Sequence, residues 1–224
     1  MVFKVSKNDI VDTVTVKLRK KKLDSLTISS DVRGIIDYKD TLFFSSNNPI
    51  IKIDTSKVSF VDKDTLKISY TPFISEKENK IGFLFDKDFE SFYTIDIYPG
   101  ALTDIFNYSN DSIQTKFRTK SIEDYGDITI SVQNPQAKPV IIQLTDQNDN
   151  TITQQKTNKT ENILFRYLIP KTYKIRIIYD ENNNGKWDTG NFLDKKQAEV
   201  VEYYSEVQEV RANWSLNAII TIKE

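Results

Sequence analysis

The 224-residue chain contains no cysteine and no histidine. Without cysteine there is no disulfide and no thiolate nucleophile. Without histidine the usual general base near neutral pH is missing, and so is the commonest ligand of transition metals. The one methionine is Met1, read as an initiator placed ahead of a piece trimmed from an exported protein. A formal net charge of -1 offers no electrostatic attraction to nucleic acid. No apolar run approaches the roughly 18 residues that a membrane span needs. Residues 1–22 are polar and lack the apolar core of a signal peptide. There is no nucleophile elbow, no glycine loop for phosphate and no metal-binding histidine pair. None of the 32 acidic residues is singled out as half of a glycosidase pair. No catalytic residue is assigned, and the chain is read as a non-enzyme.

Hydrophobic residues make up 38% of the chain and aromatics 12%, enough to bury a core. The length fits two domains of roughly 100 residues each. Apolar and polar residues alternate at Val14, Val16 and Leu18; Leu66, Ile68 and Tyr70; Ile81, Phe83 and Phe85; Tyr93, Ile95 and Ile97. The pattern resumes at Ile128 to Val132, Val140 to Leu144, Ile163 to Tyr167 and Tyr173 to Tyr179, then Val207 to Ala212 and Ala218 to Ile222. Alternation with period two marks strands with one buried face. Turn-rich stretches at 45–49, 146–150 and 156–161 separate them. Residues 86–91 are expected to form a helical turn at most. The fold class expected is all-β, built of sandwiches. A short charged linker at 120–126 divides a first domain, 1–120, from a second, 121–224, and predicts that the two touch.

The segment Asp180-Glu181-Asn182-Asn183-Asn184-Gly185-Lys186-Trp187-Asp188-Thr189-Gly190 follows the last long strand run. Side-chain oxygens recur on alternate positions, and Gly185 sits where the loop must turn. Hard cations such as calcium want that spacing of oxygens. The expected metal ligands are Asp180, Asn182, Asn184, Lys186 through its backbone carbonyl, and Asp188. The position that would hold a bidentate glutamate is Asn191, so the cage is incomplete and calcium binding is expected to be weak, roughly 10⁻⁴ to 10⁻³ M. The competing reading is a loop capped by its own Asp and Asn side chains without metal. Trp187 is expected to seat the loop as an apolar plug.

Other local signals have duller readings. The run Arg19-Lys20-Lys21-Lys22 reads as a charged hairpin end. In Phe43-Phe44 and Tyr203-Tyr204 one member of each pair is expected to face the core. Asp-Thr or Asp-Ser before an apolar residue, at residues 12, 24, 40, 64 and 111, resembles an O-glycosylation acceptor pattern but reads mainly as a turn entering a strand.

Tyr98-Pro99-Gly100-Ala101-Leu102-Thr103-Asp104-Ile105-Phe106, with Asn110-Asp111-Ser112 and Phe117-Arg118-Thr119, resembles the closing part of bacterial Ig-like domains of the surface-layer type. Tyr125 to Ile130, Pro139 to Leu144, Phe165 to Pro170 and Tyr173 to Arg176, followed by the Asp/Asn loop, resemble a transthyretin-like or Cna-B-like sandwich. Lys171 and Thr172 stand where that family usually has glycine, which leaves the turn open but not the fold. Over about residues 60–224 the pairing resembles the C-terminal part of exported Bacteroidetes-type lipoproteins. The resemblance implies two tandem sandwiches in a structural or docking module of the cell envelope. It implies a periplasmic or cell-surface, lipid-anchored full-length protein, with a protein partner or sister domains as contacts. A monomer is expected. The alternative function is a carbohydrate-binding accessory module.

Overall fold

The computed structural model describes residues 2–7, 10–15, 25–75 and 78–223. Twelve strands come from the first half: β1 (Val2–Lys7), β2 (Ile10–Thr15), β3 (Ile28–Ser30), β4 (Ile35–Ile36), β5 (Leu42–Ser46), β6 (Ile50–Ile53), β7 (Val58–Asp62), β8 (Tyr70–Ser75), β9 (Lys80–Phe85), β10 (Phe92–Ile97), β11 (Leu102–Asp104) and β12 (Ile113–Thr119). Eight follow: β13 (Gly126–Gln133), β14 (Val140–Thr145), β15 (Thr151–Thr157), β16 (Glu161–Leu168), β17 (Thr172–Tyr179), β18 (Val201–Tyr203), β19 (Gln208–Glu209) and β20 (Ser215–Thr221). The described helix is limited to two single 3-10 turns, Thr55–Lys57 and Ile122–Asp124. The fold is all-β.

In the first half, a sheet of order β3-β5-β9-β8 accompanies one of order β4-β12-β10-β7, with β6 paired to β11 and β1 to β2. The inward side chains of the two four-stranded sheets share one core cluster, rich in rings: Phe44, Phe60, Phe83, Tyr93 and Phe117 are buried in it. The Tyr93 and Phe117 rings stack at 5.6 Å, and Phe60 meets Phe85 edge-on at 4.7 Å. In the second half, β16-β13-β20 accompanies β15-β14-β17-β18, with β19 also on β17. This core is mostly aliphatic, with Ile128, Ile130, Val132, Ile142, Leu144 and Ile175 near its centre. The two clusters share no residue.

Strand β14 is buried on both faces. Val140, Ile142 and Leu144 point to the core, while Ile141, Gln143 and Thr145 on the opposite face are also covered. The segment after β17 folds back over that face. There Trp187 and Val201 line a hollow with Gln143, Arg176 and Ile178.

Several expected elements differ. Strand β8 starts only at Tyr70, because Asp62 Oδ1 accepts the N–H groups of Asp64 and Leu66, both at 2.9 Å. That turn leaves Leu66 64% exposed. Residues 86–91 hold only a turn at Phe89-Glu90, within the limit of one helical turn expected there; the Glu90 N–H is used across the sheet end, on the Lys120 carbonyl at 3.1 Å. The expected strand at 207–212 shrinks to β19, and the turn expected from 156 begins only after Thr157. Val16, Leu18 and the run Arg19-Lys20-Lys21-Lys22 lie outside the described residues, as does Asp24. Of the other Asp-Ser/Thr pairs, Asp40-Thr41 and Asp111-Ser112 directly precede β5 and β12, Asp64-Thr65 lies in the turn above, and Asp12-Thr13 lies within β2.

The two halves meet. The linker turn Ile122–Asp124 is held by a capping box between Ser121 and Asp124. Beyond it the Tyr125 hydroxyl accepts the Tyr38 N–H at 2.8 Å and donates to Asp37 Oδ1 at 3.2 Å. Asp37 also pairs with Lys120 at 2.7 Å. Around this hydroxyl, Tyr38 stacks on Phe89 at 4.2 Å, and Tyr167 meets both edge-on at 5.1 and 5.0 Å. The Lys39 ammonium donates to the Arg166 carbonyl. Each such ring pair is worth about 0.5–1.5 kcal/mol beyond its buried area.

We propose that these are two domains divided between residues 120 and 121. A fragment of residues 121–224 should then be soluble and melt in one cooperative transition; an unfolded fragment would refute the boundary. The joint also predicts a pH response. Burial, with the nearby Asp37 charge assisting, pushes the Tyr125 phenol from 10.0 up to about 12, although the Tyr38 N–H works the other way. The folded phenol keeps its proton longer than the unfolded one, so its contribution is intact below pH 10.0 and lost as pH rises toward about 12. Melting temperature should fall over that window, and less steeply in Tyr125→Phe; equal slopes would show that Tyr125 does not set the response.

Candidate functional site

The loop after β17 forms because the chain must leave a central strand and double back over its own sheet. Asp180 anchors it. The residue is 1% exposed, and its N–H bonds the Pro139 carbonyl at 3.0 Å. Asp180 Oδ1 accepts the Asn184 N–H at 3.0 Å, and Oδ2 accepts the Gly185 N–H at 2.7 Å. Asn182 Oδ1 accepts the Asn184 N–H at 3.0 Å, and Asn184 Oδ1 accepts the Lys186 N–H at 2.8 Å. The two amide groups converge on one oxygen. Asn182 Nδ2 and Asn184 Nδ2 both donate to Asp188 Oδ2, the latter at 2.9 Å.

The loop therefore gathers Asp180, Asn182, Asn184 and Asp188 into one bonded network, with Lys186 joined through its backbone. Among the described residues no three acidic groups are gathered closely enough to hold an ion on carboxylates alone. Side-chain oxygens of Asp180, Asn182 and Asn184 each carry a backbone donor, and a carboxylate or amide oxygen has lone-pair capacity for more. Such a set can order the loop by itself, and its oxygens are of the hard type that calcium takes.

Gly185 has φ +78°, and a Cβ there would lie 1.4 Å from the Lys156 Nζ. Glycine is needed for the left-handed turn, and the flexible end of Lys156 lies across the place a Cβ would take. Asn191 does not join the site. Its backbone pairs with Lys196, and its Oδ1 accepts the Leu193 N–H at 3.0 Å. Trp187 is a partial plug: it is 47% exposed, and its indole N–H donates to the Glu199 carbonyl at 3.0 Å.

Sequence reasoning missed Glu199. It is 5% exposed. Its Oε2 accepts the Asp188 N–H at 3.0 Å, and its own N–H bonds the Asp188 carbonyl at 3.1 Å. Oε1 is buried without a partner. The one signal in the sequence is an acidic residue just before the apolar pair Val200-Val201, and it is too weak to find such a group.

The aromatic pairs behave as their alternation requires. Phe44 is fully buried, while Phe43 stands on the other face and packs edge-on against Phe73 at 5.8 Å. Tyr204 packs on the core, and Tyr203 is 49% exposed. A surface groove between Lys138, Pro139, Tyr179, Val200, Glu202 and Lys223 is already braced, since Glu202 holds Lys223 at 2.9 Å and the Tyr179 hydroxyl at 3.2 Å.

No family model matches the chain, and no curated protein matches it. Among solved structures it is similar to native alpha-2-macroglobulin from Escherichia coli spanning domains MG0-NIE-MG1, with 10% identity and a TM-score of 0.39 over 84% of this chain and 95% of that one. It is similar to BcpA, the major pilin subunit of Bacillus cereus, with 11% identity and a TM-score of 0.31 over 99% and 77%. A third is the T6 backbone pilin of serotype M6 Streptococcus pyogenes, with 9% identity and a TM-score of 0.28 over 96% and 70%. At these TM-scores the likenesses assign neither family nor activity.

Gly185→Ala should destabilise the protein by about 1–2 kcal/mol from the left-handed backbone alone, with a further loss if Lys156 cannot move aside. A denaturant midpoint equal to that of the wild type would show that the loop adopts another conformation.

Proposed function

We propose that the chain is a non-catalytic structural and interaction module of an exported cell-envelope protein. It spaces or docks its neighbours within a larger assembly, at a periplasmic or cell-surface position, in a full-length lipoprotein of the Bacteroidetes type. Its contacts are a protein partner or other domains of the same full-length chain.

The aromatic joint is the observation that carries this reading. Ring contacts among Tyr38, Phe89, Tyr125 and Tyr167, with the Tyr125 hydroxyl bonded to both Tyr38 and Asp37, tie the two halves at one orientation. A spacer needs such stiffness. The loop from Asp180 to Asp188 is the module's weak calcium site in this reading, and the ion's role is to order the segment that covers the outer face of β14. At 10 mM calcium, an affinity of roughly 10⁻⁴ to 10⁻³ M would add about 1.4–2.7 kcal/mol of stability.

Small-angle scattering tests the spacer. The wild type should fit one fixed relative orientation of its halves. Phe89→Ala, which removes the ring stacked on Tyr38, should enlarge the maximum dimension and require several orientations. A wild type that itself needs an ensemble would overturn the reading.

A further inference from the structure

Among the described residues, Glu199 is the one buried carboxylate whose charge nothing nearby accounts for. Among the described residues it belongs to no ion pair. One of its oxygens is bonded to the Asp188 N–H, and the other has no partner at all. Burying a carboxylate oxygen without a partner is unfavourable, and an unmatched negative charge in the same place more so. The other buried acids differ. Asp104 takes the N–H groups of Phe106 and Tyr108 on Oδ1 at 2.9 and 2.8 Å, and the Asn48 amide on Oδ2 at 2.7 Å. Asp180 has a backbone donor on each oxygen.

The place of Glu199 is equally specific. The carbonyl that accepts the Trp187 indole and the N–H that reaches the Asp188 carbonyl fix its backbone against the end of the Asp/Asn loop. Its Oε2 is therefore held at the Asp188 backbone N–H, while the amides of Asn182 and Asn184 converge on the side-chain Oδ2 of the same residue. Two amide donors on one carboxylate oxygen occupy positions that a small cation could take instead.

We infer that Glu199 is a ligand of the divalent, calcium-class cation assigned to this loop, supplying from across the loop the carboxylate that Asn191 does not provide. This rests on the reading of the loop as a calcium site. With Glu199 the ligand set would have three negative charges, Asp180, Asp188 and Glu199, in place of two, although the three are not gathered closely enough to hold an ion in the structure described. Oxygen number and charge both favour calcium over a softer metal. The ion would draw Asp188 and Glu199 together from the positions described and neutralise the bare Oε1.

The test uses the whole chain, stripped with EDTA and titrated with calcium chloride by calorimetry, with melting curves in both states. Wild type, Glu199→Gln, Asp180→Ala and Glu181→Gln are compared, the last altering an exposed acid of the same loop. The expected result is calcium binding by the wild type and by Glu181→Gln with equal affinity, at least tenfold weaker binding by Glu199→Gln, and loss in Asp180→Ala. In EDTA, Glu199→Gln should melt at or above the wild-type temperature, because a neutral amide is less costly to bury than an unmatched charge. If the wild type binds and Glu199→Gln binds equally well, the inference fails while the loop site stands. If Glu199→Gln melts lower in EDTA yet keeps its affinity, Glu199 is only a brace for the Asp188 backbone, and the inference fails. If the wild type shows neither heat nor a shift in melting, the loop site and the inference fall together.

Discussion

The turns of this protein have to satisfy their own backbone, and among the described residues short acidic side chains close several of them where backbone partners do not suffice. With many short strands and no disulfide, the chain reverses often, and each reversal strands N–H groups outside a ladder. One solution recurs three times. Asp62, Asp104 and Asp146 each use a single oxygen to accept the N–H groups two and four residues on. The chain can then turn without water or metal at those points, and strands of fixed register follow. Asn110 and Asn134 do related work, on Leu102 and on Lys138.

Asp180 departs from this device. It spreads two donors over two oxygens and reaches four and five residues on. The loop it anchors is consequently wider. It needs a second set of caps from Asn182 and Asn184 and a brace from Glu199. The segment after β17 brings Trp187 and Val201 over Gln143, so part of the second face of β14 is sheltered where an exposed sheet would leave it wet.

Much of the strand set was legible because one face of each sheet is buried. Ile128, Ile130 and Val132 alternate with polar residues, and they lie inward as that pattern demands. The pattern fails where burial is two-sided or local. Nothing in Val140-Ile141-Ile142-Gln143-Leu144 announces that its second face is buried as well. Leu66 looked like strand until the Asp62 carboxylate was seen to close a turn over it. The Asp/Asn loop was legible because its ligand-type residues are adjacent in sequence. Glu199 was not, because it lies eleven positions beyond Asp188 and only folding brings them together. The joint of Tyr38, Phe89, Tyr125 and Tyr167 was invisible for the same reason, although the shortness and charge of the linker pointed to contact.

The pairing of the second half's first and last strands has a mechanical consequence. Strand β13 lies parallel to β20, from Asp127 opposite Ser215 to Gln133 opposite Thr221. Tension entering at Gly126 and leaving beyond Thr221 pulls these two strands along their length in opposite directions. Their cross-strand bonds are then loaded in shear, all at once, and none can be peeled open ahead of the rest. The sandwich resists stretching along the chain far better than it resists a pull across one edge.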